Sequence, residues 1–289
     1  MKYRFLRFPG GKTKAVTFSY DDGCRQDLQT VKVFEAYGMK ATFNIPSGHI
    51  AEKSSGGTLT EEEIRENILA KGHEIAVHGQ RHKALGLVRP VDGIQDVLNC
   101  RLELERRFGR IIRGMAYSDS GILDWTNEAS YENVRHYLKD LDIAYSRTLG
   151  HDNNRFQLPT DWYEWKPTAH HDHPQILQWA KEFVEMDVNS LYCSSRHAKL
   201  FYVWGHSFEF EQNNNWQHLN DICEALAHKE DIWYATNMEI YEYVMAYNSL
   251  VFSADGSRVY NPTLVEIWID YNDGTMCSVK PGETVEFEK

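Results

Sequence analysis

The sequence has no surplus of positive charge, since 31 Lys and Arg residues stand against 42 Asp and Glu residues and the net charge is -11. The basic residues are scattered along the chain and form no stripe. A protein that binds a phosphate backbone needs such a basic footprint. We therefore expect no nucleic-acid partner.

Cysteines and long apolar runs are also scarce. The five cysteines are widely spaced and contain no CxxC pair, which excludes a disulfide framework and a thiolate zinc site. No apolar run approaches the roughly 20 residues that a membrane helix needs, and the N-terminal residues lack the apolar core of a secretory signal. We expect a cytoplasmic protein without a membrane partner, with secretion left open as the alternative. The oligomeric state stays undetermined.

Short apolar strands alternate with segments of helical periodicity over the first 250 residues. Strands are predicted over 15–20, 41–45, 74–77, 114–117, 143–146, 200–204 and 232–235. Helices are predicted between and after them, over 27–37, 60–71, 91–108, 127–138, 174–185, 216–227 and 237–250. Thr60 and Glu63 form a capping box that opens the second of these helices. This alternation implies right-handed βαβ crossovers and a parallel sheet. We predict an α/β fold, a distorted (β/α) barrel of about seven strands. An open doubly wound sheet is the runner-up, and it is disfavoured because no Gly-rich loop follows the first strand.

The pattern changes after about residue 250. From there apolar and polar residues alternate, and the dipeptides DG, NP, DG and PG interrupt them, which is typical of hairpins. We predict a barrel over residues 1–250 and a small antiparallel β appendage over residues 251–289.

Two adjacent carboxylates end the first predicted strand, in AVTFSYDDG over residues 15–23. Asp21 and Asp22 would repel each other in a partly buried pocket unless a cation or different neighbours separate them. A natural division is that one carboxylate binds a metal and the other accepts a proton from water. The alternative is an ordinary turn closed by Gly23.

Two histidines, His78 and His82, follow the third strand in VHGQRH at a spacing of four. On one turn of helix this spacing would place both imidazoles on one face. Because parallel strands of a barrel end at one face, these histidines and the Asp pair should converge. One Asp and two His form a well-known hydrolytic metal set. His206 ends a further strand, KLFYVWGH.

TFSYDDG, HGQRH and LFYVWGH resemble three of the five motifs of the polysaccharide deacetylases, carbohydrate esterase family 4, whose catalytic region is the NodB homology domain. The resemblance covers about residues 10–250. It implies that Asp21 is the general base and that Asp22, His78 and His82 hold a divalent metal. That metal is usually Zn²⁺, with Co²⁺, Ni²⁺ or Mn²⁺ as alternatives. It also implies that His206 is the general acid.

The fourth-strand motif of the family departs from its usual form in IIRGMAYSDSG. The family has an arginine shortly before Pro-Tyr, where the arginine orients the base and the tyrosine backbone N–H serves the oxyanion. The resemblance assigns the second role to Tyr117. Arg113 is displaced relative to the tyrosine, so it is either the orienting residue or a surface charge.

A further family motif contributes an aspartate and a tryptophan that shape the acetyl pocket and orient the acid. The resemblance assigns these roles to Asp161 and Trp162 in PTDWYEW. Glu209, three residues after His206, competes with Asp161 as the partner of the acid.

The tract TAHHDHP contains His170, His171 and His173 and has the composition of a metal-binding segment. It lies in a predicted loop without a second cluster nearby in the sequence. We therefore favour a pocket-lining or solvated role over a metal site.

The leading functional prediction is a metal-dependent removal of N-acetyl groups from a carbohydrate, with short oligosaccharides as substrate. An acetylated carbohydrate is then the expected partner. O-acetyl ester hydrolysis, hydrolysis of a non-sugar amide, and non-catalytic carbohydrate binding are the alternatives.

Overall fold

The computed structural model describes residues 3–54, 56–149, 155–271 and 274–287. Its helices are α1 (Asp27–Tyr37), α2 (Glu61–Glu63), α3 (Pro90–Phe108), α4 (Tyr131–Asp140), α5 (Ile176–Glu185), α6 (Ser207–Gln212), α7 (Trp216–Leu226) and α8 (Asn237–Asn248). Its strands are β1 (Arg4–Arg7), β2 (Lys14–Asp21), β3 (Ala41–Ile45), β4 (Glu74–Val77), β5 (Gly114–Ala116), β6 (Tyr145–Arg147), β7 (Ala169–His170), β8 (Lys199–Gly205), β9 (Ile232–Tyr234), β10 (Val251–Phe252), β11 (Arg258–Tyr260), β12 (Ile267–Tyr271), β13 (Met276–Val279) and β14 (Thr284–Glu286).

The central sheet is parallel and follows the order β6-β5-β4-β3-β2-β8-β7. β9 pairs with the first half of β2, at Lys14–Val16, whereas β3 pairs with its second half, at Phe18–Asp21. The seven-stranded path curls into a half-barrel. The predicted α/β fold with a distorted barrel of about seven strands is therefore confirmed.

β2 lies at the centre of this sheet, and all eight of its residues are buried. Because the strand is covered on both faces, its polar residues Thr17 and Ser19 are buried along with Val16 and Phe18. On the helix-facing side Phe18 packs against Phe34 of α1, with ring centroids 4.7 Å apart. This packing holds the end of β2, and with it the Asp pair, in a rigid part of the fold.

Local sequence rules account for several helix ends. α1 has the predicted bounds and ends at Gly38, whose φ of 68° is left-handed. α2 begins with the predicted capping box of Thr60 and Glu63. It continues as a π-helical turn over Ile64–Ile68 and a 3-10 turn over Leu69–Lys71, so the predicted single helix changes its winding along its length.

The helix predicted from residue 127 begins later. Asn127 and Glu128 have φ values of 52° and 65°, which a right-handed helix excludes. α4 begins instead after Ser130, whose side-chain oxygen accepts the N–H of Asn133. The two-residue strand β7 and the short helix α6 were also not predicted.

The C-terminal region is antiparallel, as predicted, and forms two three-stranded sheets in the orders β10-β11-β14 and β1-β12-β13. β1 comes from the N-terminal part of the chain and pairs with β12, so that Arg4 lies opposite Tyr271. One sheet of the appendage thus contains N-terminal residues. The division at residue 250 stays a prediction.

A buried cluster of charged and polar side chains joins this sheet to the barrel. Arg7 of β1 and Asp270 of β12 form a salt bridge with side chains 0% and 2% exposed. Arg196, which precedes β8, also binds Asp270, at 2.9 Å. Tyr243 of α8 donates to the carbonyl of Arg7 at 2.8 Å. Within the described ranges, no helix is both long enough and apolar enough to cross a membrane.

The substitution Asp270→Asn should lower the free energy of unfolding by about 3–5 kcal/mol, because it leaves two arginines without their buried counter-charge. The matched control is Glu286→Gln, which breaks the exposed pair with Arg258 in the neighbouring sheet. An exposed pair contributes about 0–1 kcal/mol. Urea denaturation of both variants measures the difference, and equal effects would show that the buried pair does not secure the appendage.

Candidate functional site

The two acids at the end of β2 point in different directions. Asp22 has a φ of 79°, a left-handed conformation that turns the chain sharply between the two residues. Asp21 is 1% exposed, and its Oδ1 accepts the Nδ2–H of Asn44 at 2.7 Å. Its other oxygen forms a salt bridge with Arg147. The left-handed turn thus separates the buried carboxylate of Asp21, which is paired with Arg147, from that of Asp22, which faces two histidines.

Asp22, His78 and His82 come together although they are far apart in sequence. Asp22 Oδ1 lies 3.6 Å from His78 Nε2 and 3.1 Å from His82 Nε2. The three ligand atoms all lie within 4.8 Å of one another. His78 Nδ1 is 2.9 Å from the carbonyl of Ala116, which places the ring proton on Nδ1 and leaves the Nε2 lone pair free.

The spacing of the two histidines does not reflect a helix. Residues 78–89 form a loop, and His82 has a φ of 53°. Gly79 has a φ of 72°, and a Cβ there would lie 2.4 Å from Asp96 Oδ2. The loop is fixed by backbone bonds from Gly48 to Gln80 and from Gln80 to Asp96. A tight loop therefore replaces the expected helical turn.

The charge states of Asp22 and His78 suit a divalent cation. Burial raises the pKa of Asp22, but the hydrogen bond from His82 and the charges of both histidines outweigh it and bring the pKa to about 2. Burial lowers the pKa of His78, which favours the neutral imidazole that a metal needs. The hydrogen bond to Asp22 raises the pKa of His82. The donor set thus fits a metal that binds imidazole nitrogen and carboxylate oxygen.

The arginine beside the base is Arg147, which the sequence analysis missed. It ends β6, is fully buried, and lies with its Cζ 4.5 Å from the ring centroid of Trp204. Arg113, the sequence candidate, instead binds Asp142 at 2.8 Å on the surface. The prediction that Arg113 orients the base is therefore wrong. Arg147 directly follows the predicted strand 143–146, and this strand-end position was the available signal.

Tyr117 does not offer a free backbone donor. Its N–H donates to the carbonyl of Arg147 at 3.0 Å, as part of the pairing of β5 with β6. Its hydroxyl donates to the carbonyl of Tyr163 at 2.8 Å, and the residue is fully buried. The oxyanion role expected for its amide is therefore not supported by this arrangement.

Asp161 and Trp162 lie in a turn that is held by local contacts. Asp161 accepts the N–H of Tyr163 at 2.9 Å and pairs with Arg135 at 3.2 Å. Trp162 packs edge-on against Tyr241, with centroids 5.0 Å apart. These contacts give Asp161 and Trp162 a structural role in this turn. Glu209, the competing candidate, is the acid that contacts His206.

His206 lies between two carboxylates. Its Nε2 is 4.0 Å from Asp21 Oδ2, and its Nδ1 is 3.4 Å from Glu209 Oε1. Burial lowers the pKa of His206, but Glu209 and the charge of Asp21 raise it more, so that the net shift is upward. The ring therefore keeps its proton to a higher pH than an ordinary histidine.

The histidine tract over residues 170–173, which was predicted as a loop, lies next to Glu209. β7 pairs with β8 and brings His170 and His171 beside Glu209, with their Nε2 atoms 3.1 and 3.3 Å from Oε2. A Cβ at Gly205 would lie 2.0 Å from His171 Nδ1, so only glycine permits this approach. Burial lowers the pKa of His171 to about 3. Of the pocket-lining or solvated role favoured for this tract, the solvated one is therefore wrong for His171, which is fully buried.

A buried acid, Asp27, lies behind the site at the start of α1. Ser207 donates to its Oδ1 at 2.5 Å, and the Sγ of Cys24 lies 3.6 Å from the same atom. Burial raises the pKa of Asp27 to about 8. Asp27 is therefore protonated in the folded protein at neutral pH.

The family model for polysaccharide deacetylases matches residues 8–143. The solved Puue allantoinase aligns over 81% of this chain and 91% of its own, with a TM-score of 0.57 and 14% identity. A putative polysaccharide deacetylase from Mycobacterium smegmatis aligns over 86% and 96%, with a TM-score of 0.55 and 16% identity. At these identities the two likenesses show the fold.

A third structure aligns over a smaller region. The deacetylase PplD of Streptococcus pyogenes, solved in complex with acetate, has a TM-score of 0.41 and 17% identity. The alignment covers 46% of this chain and 55% of that protein, so it spans about half of each. No curated protein matches the sequence.

The pKa of Asp27 predicts a pH effect on stability. Between its unfolded value of 3.8 and its folded value of about 8, the folded state holds a proton that the unfolded state has released. The stability conferred by this group therefore falls as pH rises through that window. Relative to the wild type, Asp27→Asn should gain about 1.4 kcal/mol in unfolding free energy per pH unit between pH 5 and pH 7.

Urea denaturation at several pH values measures this difference, and Asp140→Asn on the exposed face of α4 is the control. A constant difference between Asp27→Asn and the wild type across this range would contradict the assignment.

Proposed function

We propose that this chain, which matches the polysaccharide deacetylase family model over residues 8–143, is a metal-dependent hydrolase that removes N-acetyl groups from a carbohydrate. Short oligosaccharides are the proposed substrates. The observation that carries the proposal is the separation of the Asp pair. Asp22 joins two histidines, while the buried Asp21 stands beside them and faces His206.

The metal would be held by Asp22, His78 and His82. Two imidazoles and one carboxylate suit Zn²⁺, and Co²⁺, Ni²⁺ and Mn²⁺ accept the same ligands. When bound, such a cation supplies Lewis acidity, which lowers the pKa of water and polarises a carbonyl group. Three protein ligands leave room for water and substrate, as hydrolytic sites require.

Asp21 is proposed as the general base. Asn44 fixes one of its oxygens and Arg147 the other, so that the carboxylate has one orientation. From that position it takes the proton of the water that attacks the acetyl carbonyl carbon. A base held in place by two partners needs no rearrangement when the proton moves, which is the advantage of a preorganised site.

His206 is proposed as the general acid. Its pKa is raised by Glu209 and Asp21, so that the ring is protonated nearer neutral pH. As the carbon–nitrogen bond breaks, His206 donates its proton to the departing amine, and acetate is the second product. The base and the acid are close enough to act on the same acetyl group, since His206 Nε2 is 4.0 Å from Asp21 Oδ2.

A second candidate is a metal-dependent O-acetyl esterase or an amidase that acts on a non-sugar amide. The bonded amide of Tyr117 favours it, because the backbone donor expected for the sugar deacetylases is occupied. A panel of acetylated sugars, O-acetyl esters and cyclic amides separates these reactions. Hydrolysis confined to the esters or the cyclic amides would replace the leading proposal.

The substitution Asp21→Asn should lower kcat for acetate release from N-acetylglucosamine oligomers by about 10²–10⁴-fold, because it removes the base. The affinity for Zn²⁺ should stay within a few-fold of wild type, since Asp21 is not among the proposed ligands. Acetate release before and after chelation gives the activity, and calorimetry gives the metal affinity. Unchanged acetate release by Asp21→Asn would exclude the proposed mechanism.

The substitution Arg147→Gln should lower kcat by about 10–100-fold with little change in KM, because the Asp21 carboxylate is then no longer held in one orientation. It should also lower the unfolding free energy by about 3–5 kcal/mol, because the buried Asp21 loses its counter-charge. Arg147→Lys keeps the positive charge, so it should restore part of kcat and part of the unfolding free energy.

The matched control for this experiment is Arg113→Gln, which removes an arginine at the surface and should leave kcat within about twofold of wild type. If the Arg113 variant loses activity while the Arg147 variant keeps it, the assignment of the orienting arginine is wrong.

A further inference from the structure

A second group of potential metal ligands lies next to His206, the proposed general acid, at the end of β7 and on α6. His171 Nε2 is 3.3 Å from Glu209 Oε2 and 3.4 Å from Asp172 Oδ1. In a tetrahedral zinc site with bonds of about 2.0–2.1 Å, ligand atoms lie about 3.3–3.4 Å apart. The ligand atoms of this group all fall within 4.8 Å of one another, as a single bound ion requires.

The surroundings of His171 suit a metal ligand. The residue is 0% exposed, and neither of its ring nitrogens has a hydrogen-bond partner among the described residues. It is clamped between the rings of Tyr20 and Phe210, with centroids 5.8 and 4.1 Å away, so it cannot turn toward another partner. A buried polar group left unpaired costs about 1–3 kcal/mol. Its Nε2 faces two carboxylates, an arrangement that a cation completes.

We propose that His171, Asp172 and Glu209 form a second divalent-cation site, with Zn²⁺ as the ion. One buried imidazole and two carboxylates supply nitrogen and oxygen ligands of the kind that zinc accepts. The side chains of Asp172 and Glu209 are 37% and 24% exposed, which provides a path of entry from solvent.

His170 supports this site without being a ligand. Its Nδ1 accepts the backbone N–H of Asp172 at 3.2 Å, so the ring proton lies on Nε2. That Nε2–H is 3.1 Å from Glu209 Oε2, which also accepts the backbone N–H of His206 at 3.1 Å. Ligating carboxylates are commonly held by such outer hydrogen bonds. Glu209 is therefore oriented before an ion arrives.

The site lies on the far side of His206 from the first metal group. Glu209 Oε1 is 3.4 Å from His206 Nδ1, while the opposite ring nitrogen faces Asp21. Glu209 is thus shared between the acid and the proposed cation. The two metal groups have no ligand in common, so their occupancies can be separated by substitution.

Titration of the metal-stripped full chain tests the proposal, with Zn²⁺ followed by calorimetry and Co²⁺ by visible absorption. The wild type should bind two equivalents. Asp172→Asn and His82→Gln should each bind one, and the double variant should bind none. The control Asp140→Asn changes an aspartate on the exposed face of α4 and should bind two. Circular dichroism checks folding, and Glu209→Gln is the second variant if Asp172→Asn is unfolded.

Two results separate this site from the first. If the wild type binds one equivalent that His82→Gln abolishes and Asp172→Asn keeps, the second site does not exist. If it binds one equivalent that Asp172→Asn abolishes and His82→Gln keeps, the second site stands and the metal centre of the proposed function fails.

Discussion

The buried ion pair of Asp21 and Arg147 is the interaction on which the candidate site depends. Both side chains are almost fully buried, so each charge would be costly without the other. Because Arg147 compensates the charge of Asp21, the adjacent Asp22 can turn toward the two histidines. One acid can then be a ligand while its neighbour stays free to accept a proton.

This pair also explains why the sheet has to curl. Asp21 ends β2 and Arg147 ends β6, and three strands separate them in the sheet. In a flat sheet, with about 4.8 Å between neighbouring strands, their backbones would lie about 19 Å apart. An arginine side chain cannot span that distance. The curvature of the half-barrel therefore makes the ion pair possible, and the ion pair in turn stabilises the curvature.

The sequence was informative where function depends on local pattern. Asp22, His78 and His82 each follow the end of a strand, and parallel strands end at one edge, so their convergence could be predicted without the sheet order. The left-handed Gly38 likewise marked the end of α1. The same rule favours Arg147, which follows the predicted strand 143–146, but the family motif directed attention to Arg113, which precedes the predicted strand 114–117.

The second histidine cluster escaped prediction because the strand that carries it is very short. β7 contains two residues, too few for an alternating pattern, so His170 could be read only as part of a loop. His82 shows the opposite error, since a spacing of four suggested a helix where a strained loop makes the same approach. The sequence was least informative for short strands and for residues in the left-handed conformation, because tertiary contacts determine both.

The most direct test of the central claim is a zinc-edge anomalous diffraction measurement on crystals of the metal-loaded protein. The account predicts a peak bound by Asp22 Oδ1, His78 Nε2 and His82 Nε2, with the Asp21 carboxylate outside the coordination sphere and still paired with Arg147. A peak that Asp21 coordinates, or a structure in which Arg147 has left Asp21, would contradict it.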